Sequence, residues 1–193
     1  MSHPVLPLKE LVQIYQGVTL NRYQDDHGSQ ERIINSRNLE QIYIGGELST
    51  AQINASKLSQ YRLHADDVVI TIRGTPLKAS LVTDEVQGCL PNQNLAVLRP
   101  KAQINPVFLA VLMRSKWLEQ HLVTLYSQSI GTQLLKISQL RDMQIPLPNL
   151  NTQNKLAQLF LAAERYTQIT LETLEIRNSL TQLTFSQILE GEQ

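Results

Sequence analysis

Apolar positions along the chain change their spacing several times, and each change marks a different kind of element. From Pro7 to Gly17, PLKELVQIYQG carries Leu8, Leu11, Val12 and Ile14 in mixed spacing, which suits a short strand or a helical turn closed by Gly17. Residues 21–37, NRYQDDHGSQERIINSR, are polar and charged apart from Ile33 and Ile34, and read as a surface loop. Tyr43 and Ile44 end a short apolar piece at Gly45-Gly46. DDVVITIRG is the clearest strand, because Val68 to Ile72 are β-branched throughout and stop at Gly74. Further strands are predicted from Ala79 to Thr83 and from Asn94 to Leu98, the last ending at Arg99-Pro100. Pro106 then opens PVFLAVLMRSKWLEQHLVTLY, whose apolar residues recur at helical spacing with proline where a first turn tolerates it. After SQSIGT, the piece LLKISQLRDMQIPLP predicts a short helix and a closing strand.

The last quarter follows one rule. Leu156, Leu159, Ala163, Tyr166, Ile169, Ile176, Leu180 and Leu183 form an apolar seam spaced by three, four or seven, with a three-residue slip between Tyr166 and Ile169 and Thr173 in an otherwise apolar place. Pro146 and Pro148 hold the preceding backbone extended, and Asn149 or Asn151 caps the start. Thr152 to Leu189 would make a rod of about 57 Å. A single helix with such a seam is marginal alone and needs a partner surface. Either it folds back over its own head or it pairs with a second chain. Length favours pairing, since a head of this size spans roughly 30–40 Å. The fold class is α+β: a mixed head over residues 1–150, strands dominating its middle, followed by a long coiled-coil helix over 151–193.

Composition narrows the class. At 193 residues, 42% hydrophobic and 18% charged, the chain holds one good core and is expected to fold. No apolar run approaches the roughly 20 residues of a spanning helix, and MSHPVLPLKELVQ lacks a charged-then-apolar leader, so a cytoplasmic protein is expected. The single cysteine, Cys89, reads as a small buried hydrophobe. Net charge is zero, but residues 1–150 hold 14 Lys+Arg against 12 Asp+Glu and the remainder 3 against 5. That asymmetry does not establish nucleic-acid binding, which depends on local clustering.

Several blocks together resemble the target-recognition domain of the specificity subunit of type I restriction-modification systems. They are DVVITIRGT with its following Lys78, LPNQNLAVLRP, INPVFLAVLMRS, SIGTQLLKISQLRDMQIPLP and the Gln153 that opens the tail helix; LKELVQIYQG is similar to the family's opening segment. The family usually has Glu-Gln after the proline elbow where this chain has Thr152-Gln153. Its members normally carry two recognition domains and two long helices, and this chain has one of each, so it resembles a half-length specificity subunit. The resemblance implies a homodimer whose paired tails hold two heads apart, an inverted-repeat target with a gap, and double-stranded DNA, methyltransferase subunits and a restriction nuclease subunit as partners. Adenine methylation with S-adenosylmethionine would belong to the methyltransferase, and this chain would need no cofactor of its own.

Within that frame the candidate DNA contacts are these. Arg73, with Thr75 in the same block, sits where a loop presents a guanidinium to guanine or to phosphate, or where it pairs with Asp66 or Asp67. Lys78 suits a phosphate or solvent. Asn92, Gln93 and Asn94 carry amides that suit adenine, although a turn after Pro91 accounts for at least two of them. Ser129, Gly131, Thr132 and Gln133 form a loop whose glycine allows close approach, with Lys136 following. Arg22 to Arg37 is a further segment where recognition side chains would be displayed.

Enzyme signatures are missing. Asp25-Asp26 and Asp66-Asp67 are adjacent carboxylates that point apart, the four histidines lack metal-ligand spacing, and IRGTPLK fails as a phosphate loop. Trp117 and His121 read as core. The leading expectation is a non-catalytic DNA-recognition subunit. The alternative is a dimerising regulatory protein that binds methyltransferase without reading DNA, and an independent small enzyme ranks last.

Overall fold

The β-branched run Val68–Thr71 forms strand β5, and all its residues are buried. Burial on both faces requires cover on both faces, and the order of the chain supplies it. The computed structural model describes residues 3–74, 77–126 and 134–191. Its elements, in order, are β1 (Val5–Pro7), α1 (Leu8–Leu11), β2 (Val12–Gln16), β3 (Gln24–Ile34), β4 (Ser49–Ile53), β5, β6 (Ala79–Leu81), β7 (Leu90–Pro91), β8 (Leu95–Pro100), α2 (Pro106–Met113), α3 (Lys116–Tyr126), α4 (Ile137–Asp142), β9 (Gln144–Pro146) and α5 (Leu150–Glu190). Helix α2 packs against β5 and β6. Val69, Leu95 and Val97 join Ile34, Leu39, Leu63 and Cys89 in one core cluster.

The described strands make three sheets. Four strands run antiparallel in the order β2-β8-β5-β6, three in the order β4-β3-β7, and β1 pairs with β9. Opening and closing segments therefore meet, with Val5 opposite Pro146 and the Leu8 amide donating to the Met143 carbonyl at 2.8 Å. The ambiguous opening stretch is both things in succession, a helical turn and then a strand.

Three expectations need correction. Residues 24–34 are a strand and not a loop, paired antiparallel with β4 and parallel with β7. Only Ile33 and Ile34 of that strand are buried, so backbone pairing holds it and the alternation that would have announced it is missing. The long helix opened by Pro106 is two helices, broken at Arg114 and Ser115, where the Ser115 amide donates to the Leu112 carbonyl. In α3, Leu118 and Leu122 are buried, while His121 is exposed and stacks on half-buried Trp117 with ring centroids 4.0 Å apart, so His121 is not core.

The chain divides into two compact units, Met1–Asn154 and Lys155–Gln193. Within the first, Asn149 caps α5 by accepting from the Thr152 amide at 2.9 Å. Gln153 is fully buried: its Oε1 accepts from the Asn105 amide, and its Nε2 donates to the carbonyls of Gln103 and Pro148. In the second unit, the described residues through Glu190 are helix. Its 41-residue parent α5 is about 62 Å long, and all eight seam residues, Leu156 through Leu183, are exposed in the single chain. Thr173 donates its hydroxyl to the Ile169 carbonyl at 2.7 Å, which satisfies the polar group inside the helix and leaves a methyl to the seam.

Candidate nucleic-acid interface

Antiparallel order places the ends of β2 and β5 beside the starts of β6 and β8. Gln16 stands opposite Ala96, Thr71 opposite Leu95, and Ile70 opposite Ala79. Just beyond, the Ile72 amide donates to the Asn94 carbonyl and the Ile72 carbonyl accepts from the Leu135 amide, both at 2.9 Å. Arg73 and Leu134 form an isolated antiparallel bridge. One end of the four-stranded sheet thus gathers Arg73, Lys78, Asn92, Gln93, Asn94 and Lys136, which are scattered over more than sixty positions in sequence. Thr75, Ser129, Gly131, Thr132 and Gln133 lie outside the described residues.

The gathered side chains differ in how free they are. Arg73 and Lys136 are exposed, and among the described residues neither side chain has a hydrogen-bond or ion-pair partner. Lys136 is fixed through its backbone, whose amide donates to Gln139 Oε1 at 2.9 Å at the start of α4. Lys78 is committed to an ion pair with Glu40, and its amide donates to Thr71 Oγ1. Asn92 works inside the fold: its Nδ2 donates to Asn35 Oδ1 at 2.6 Å and its Oδ1 accepts from the Asn94 amide at 2.9 Å. Gln93 is exposed, and its carbonyl accepts from Gln16 Nε2 at 2.8 Å. Among the described residues this edge offers a ligand two cations without a partner, with Gln93 between committed neighbours.

Arg73 does not pair with Asp66 or Asp67. Asp67, 1% exposed, receives both Nε and Nη2 of Arg99 at 2.8 Å, and Arg99 also donates to the Tyr15 hydroxyl and lies 5.6 Å from the Tyr15 ring centre. Burial, then the Asp67 charge, raises the Tyr15 hydroxyl far above its ordinary pKa, so it stays protonated. Glu31 forms a two-pronged pair with Arg62, and that hydrogen bonding lowers the Glu31 carboxyl below its ordinary 4.5. Burial raises the Cys89 thiol. Neither arginine pair was legible as such, because the partners lie 32 and 31 positions apart; the one local signal is a charged residue, Arg99, interrupting an apolar strand.

The cleft beside this edge was also missed. Arg22 and Arg141 line a volume of about 480 Å³ together with Tyr15, Tyr23 and Tyr61. Arg22 bounds the segment singled out for display, but nothing local marks Arg141, one residue after buried Leu140 on a six-residue helix.

The chain belongs to the type I restriction modification DNA specificity domain family, whose model matches residues 5–182. Among solved structures, the HsdS subunit from Thermoanaerobacter tengcongensis superposes with a TM-score of 0.60 at 17% identity, over 89% of this chain and 39% of that one. The S subunit of a type I restriction-modification system from M. genitalium gives 0.55 at 12% identity, over 93% and 44%. A chain from a structure describing complex assembly and conformational transition of the type I R-M system gives 0.63 at 17%, over 95% and 42%. The chain therefore spans about two fifths of the length of these solved chains. No curated protein matches it.

Proposed function

We propose that this chain is the non-catalytic DNA sequence-recognition subunit of a type I restriction-modification system and acts as a homodimer on a bipartite, inverted-repeat site. Residues 1–150 read DNA in this account. Residues 151–193 pair with the same segment of a second copy, through Leu156, Leu159, Ala163, Tyr166, Ile169, Ile176, Leu180 and Leu183, and set the distance between two heads. The paired chains recruit methyltransferase subunits, which bind S-adenosylmethionine and modify adenine, and a nuclease subunit joins them.

The observation that carries the reading is the family match over residues 5–182 in a chain with one head and one long helix. The exposed apolar seam of the long helix supports the homodimer, because a helix draws most of its stability from packing such a face against a partner. Twofold pairing of identical heads demands a target with the same symmetry. Arg73, Lys136 and Gln93 at the sheet end are the described side chains placed to meet DNA, while Asn92 and Asn94 shape the turn that presents Gln93.

The test is to express a type I methyltransferase subunit with and without this chain, and to map modified adenines. Chain-dependent methylation at a gapped inverted repeat is the expected result. Methylation that ignores the chain, or falls at an asymmetric target, contradicts the proposal.

A further inference from the structure

The eight arginines that precede residue 150 divide by what their guanidiniums touch. Arg32, Arg37, Arg62, Arg99 and Arg114 each donate to a carbonyl, hydroxyl or carboxylate within the fold. Arg22, Arg73 and Arg141 have no such partner among the described residues. The three uncommitted arginines are not dispersed. Arg22 and Arg141 face one cleft, and that cleft adjoins the sheet end that holds Arg73. Its wall includes Gln16, which donates to the Gln93 carbonyl, and Ile137, which follows Lys136 directly.

The lining of the cleft is unbalanced in charge. Among the described residues no carboxylate lines it, and Asp142, the acid next to Arg141 in sequence, is tied to Lys9 at 2.9 Å. Two guanidiniums on one cleft without a neutralising acid repel each other, and an anion between them converts that repulsion into attraction. Tyrosine rings form the rest of the wall. The Tyr15 hydroxyl is taken by Arg99 and its ring meets Tyr61 edge-on at 6.2 Å, whereas the hydroxyls of Tyr23 and Tyr61 have no partner among the described residues. Phosphate oxygens accept from both guanidiniums and hydroxyls.

We infer that Arg22 and Arg141 clamp a backbone phosphate of duplex DNA in this cleft, with Tyr23 and Tyr61 as hydroxyl donors; the inference rests on the DNA-reading proposal above. The clamp carries no sequence information. It fixes the register of the head on the duplex so that the sheet end meets base edges.

The experiment is fluorescence anisotropy of the full chain on a labelled mixed-sequence duplex of about 30 base pairs, titrated between about 50 and 200 mM salt. Each phosphate contact removed lowers the slope of log affinity against log salt by about 1. The double variant Arg22→Gln/Arg141→Gln releases that one phosphate and is expected to lower it by about 1, with its thermal melt unchanged because neither guanidinium has a partner among the described residues. Lys57→Gln/Lys116→Gln removes equal charge from side chains that also have no partner among the described residues but lie outside the cleft, and is expected to leave the slope near the parent's. An unchanged slope in the cleft variant overturns the clamp, as does an equal fall in the control. If Arg73→Gln/Lys136→Gln alone lowers it, the DNA-reading proposal survives without the clamp. A parent chain that shows no salt-dependent binding at the lowest salt overturns both.

Discussion

Among the described glycines, Gly17 carries the tightest backbone approach. A Cβ there would lie 2.0 Å from the Asn92 carbonyl oxygen and 2.6 Å from that of Pro91, so Gly17→Ala must push apart β2 and the turn that presents Gln93. Urea unfolding of that variant should show a loss of at least about 2 kcal/mol. The sequence marks Gly17 as an end of an element but gives no sign of the chain that crosses it, because the contact is made 75 positions later. The Arg99–Asp67 pair is equally non-local, and Arg99→Met would leave the Asp67 carboxylate buried without its cation; the expected loss is about 3–5 kcal/mol by the same measurement. Glu31 gives stability a pH dependence of known sign. Its folded-state pKa is lowered below 4.5 by Arg62, so its contribution is complete above that value and is lost as pH falls through the lower folded value. Stability profiles from pH 6 downward should therefore flatten in Glu31→Gln relative to the parent at the acid end.

Elements were legible where burial imposes a period. β5, β6, β8, α4 and β9 lie close to where apolar runs place them, and α5 begins at the proline elbow with Asn149 as its cap. β3 and β4 were not, because most of their side chains face solvent and hydrogen bonding to each other defines them. β3 also carries an irregularity no pattern announces: Gln24 and Ser29 both stand opposite Ile53, and the intervening DDHG ends at Gly28, whose Cβ would meet the Ile53 carbonyl at 2.4 Å. The start of α5 makes a sharper statement. Gln153 satisfies three backbone groups in the head, so the head extends through it, past the proposed boundary at 150. A chain ending at Asn154 should melt near the parent head's temperature, and one ending at Leu150 should melt several degrees lower, since lost bonds to buried groups cost about 1–3 kcal/mol each.

At the scale of the molecule, the helix makes the argument that the head alone does not. The seam from Leu156 to Leu183 is apolar and exposed in the single chain, and a helix with such a face draws most of its stability from packing it against a partner. Its spacing was readable directly, whereas the site at the sheet end was readable only as separate fragments, since β-sheet register and not sequence distance brings Arg73, Gln93 and Lys136 together. Among the described residues, no helix is long and apolar enough to cross a membrane. The measurement that addresses the central claim is sedimentation equilibrium of the full chain beside its Leu180→Glu/Leu183→Glu variant. The account predicts a species of twice the 21.9 kDa chain for the parent and a folded monomer for the variant, because the substitutions place charge in the seam. A parent that remains monomeric, or a variant that dimerises as well as the parent, would contradict the two-headed reader.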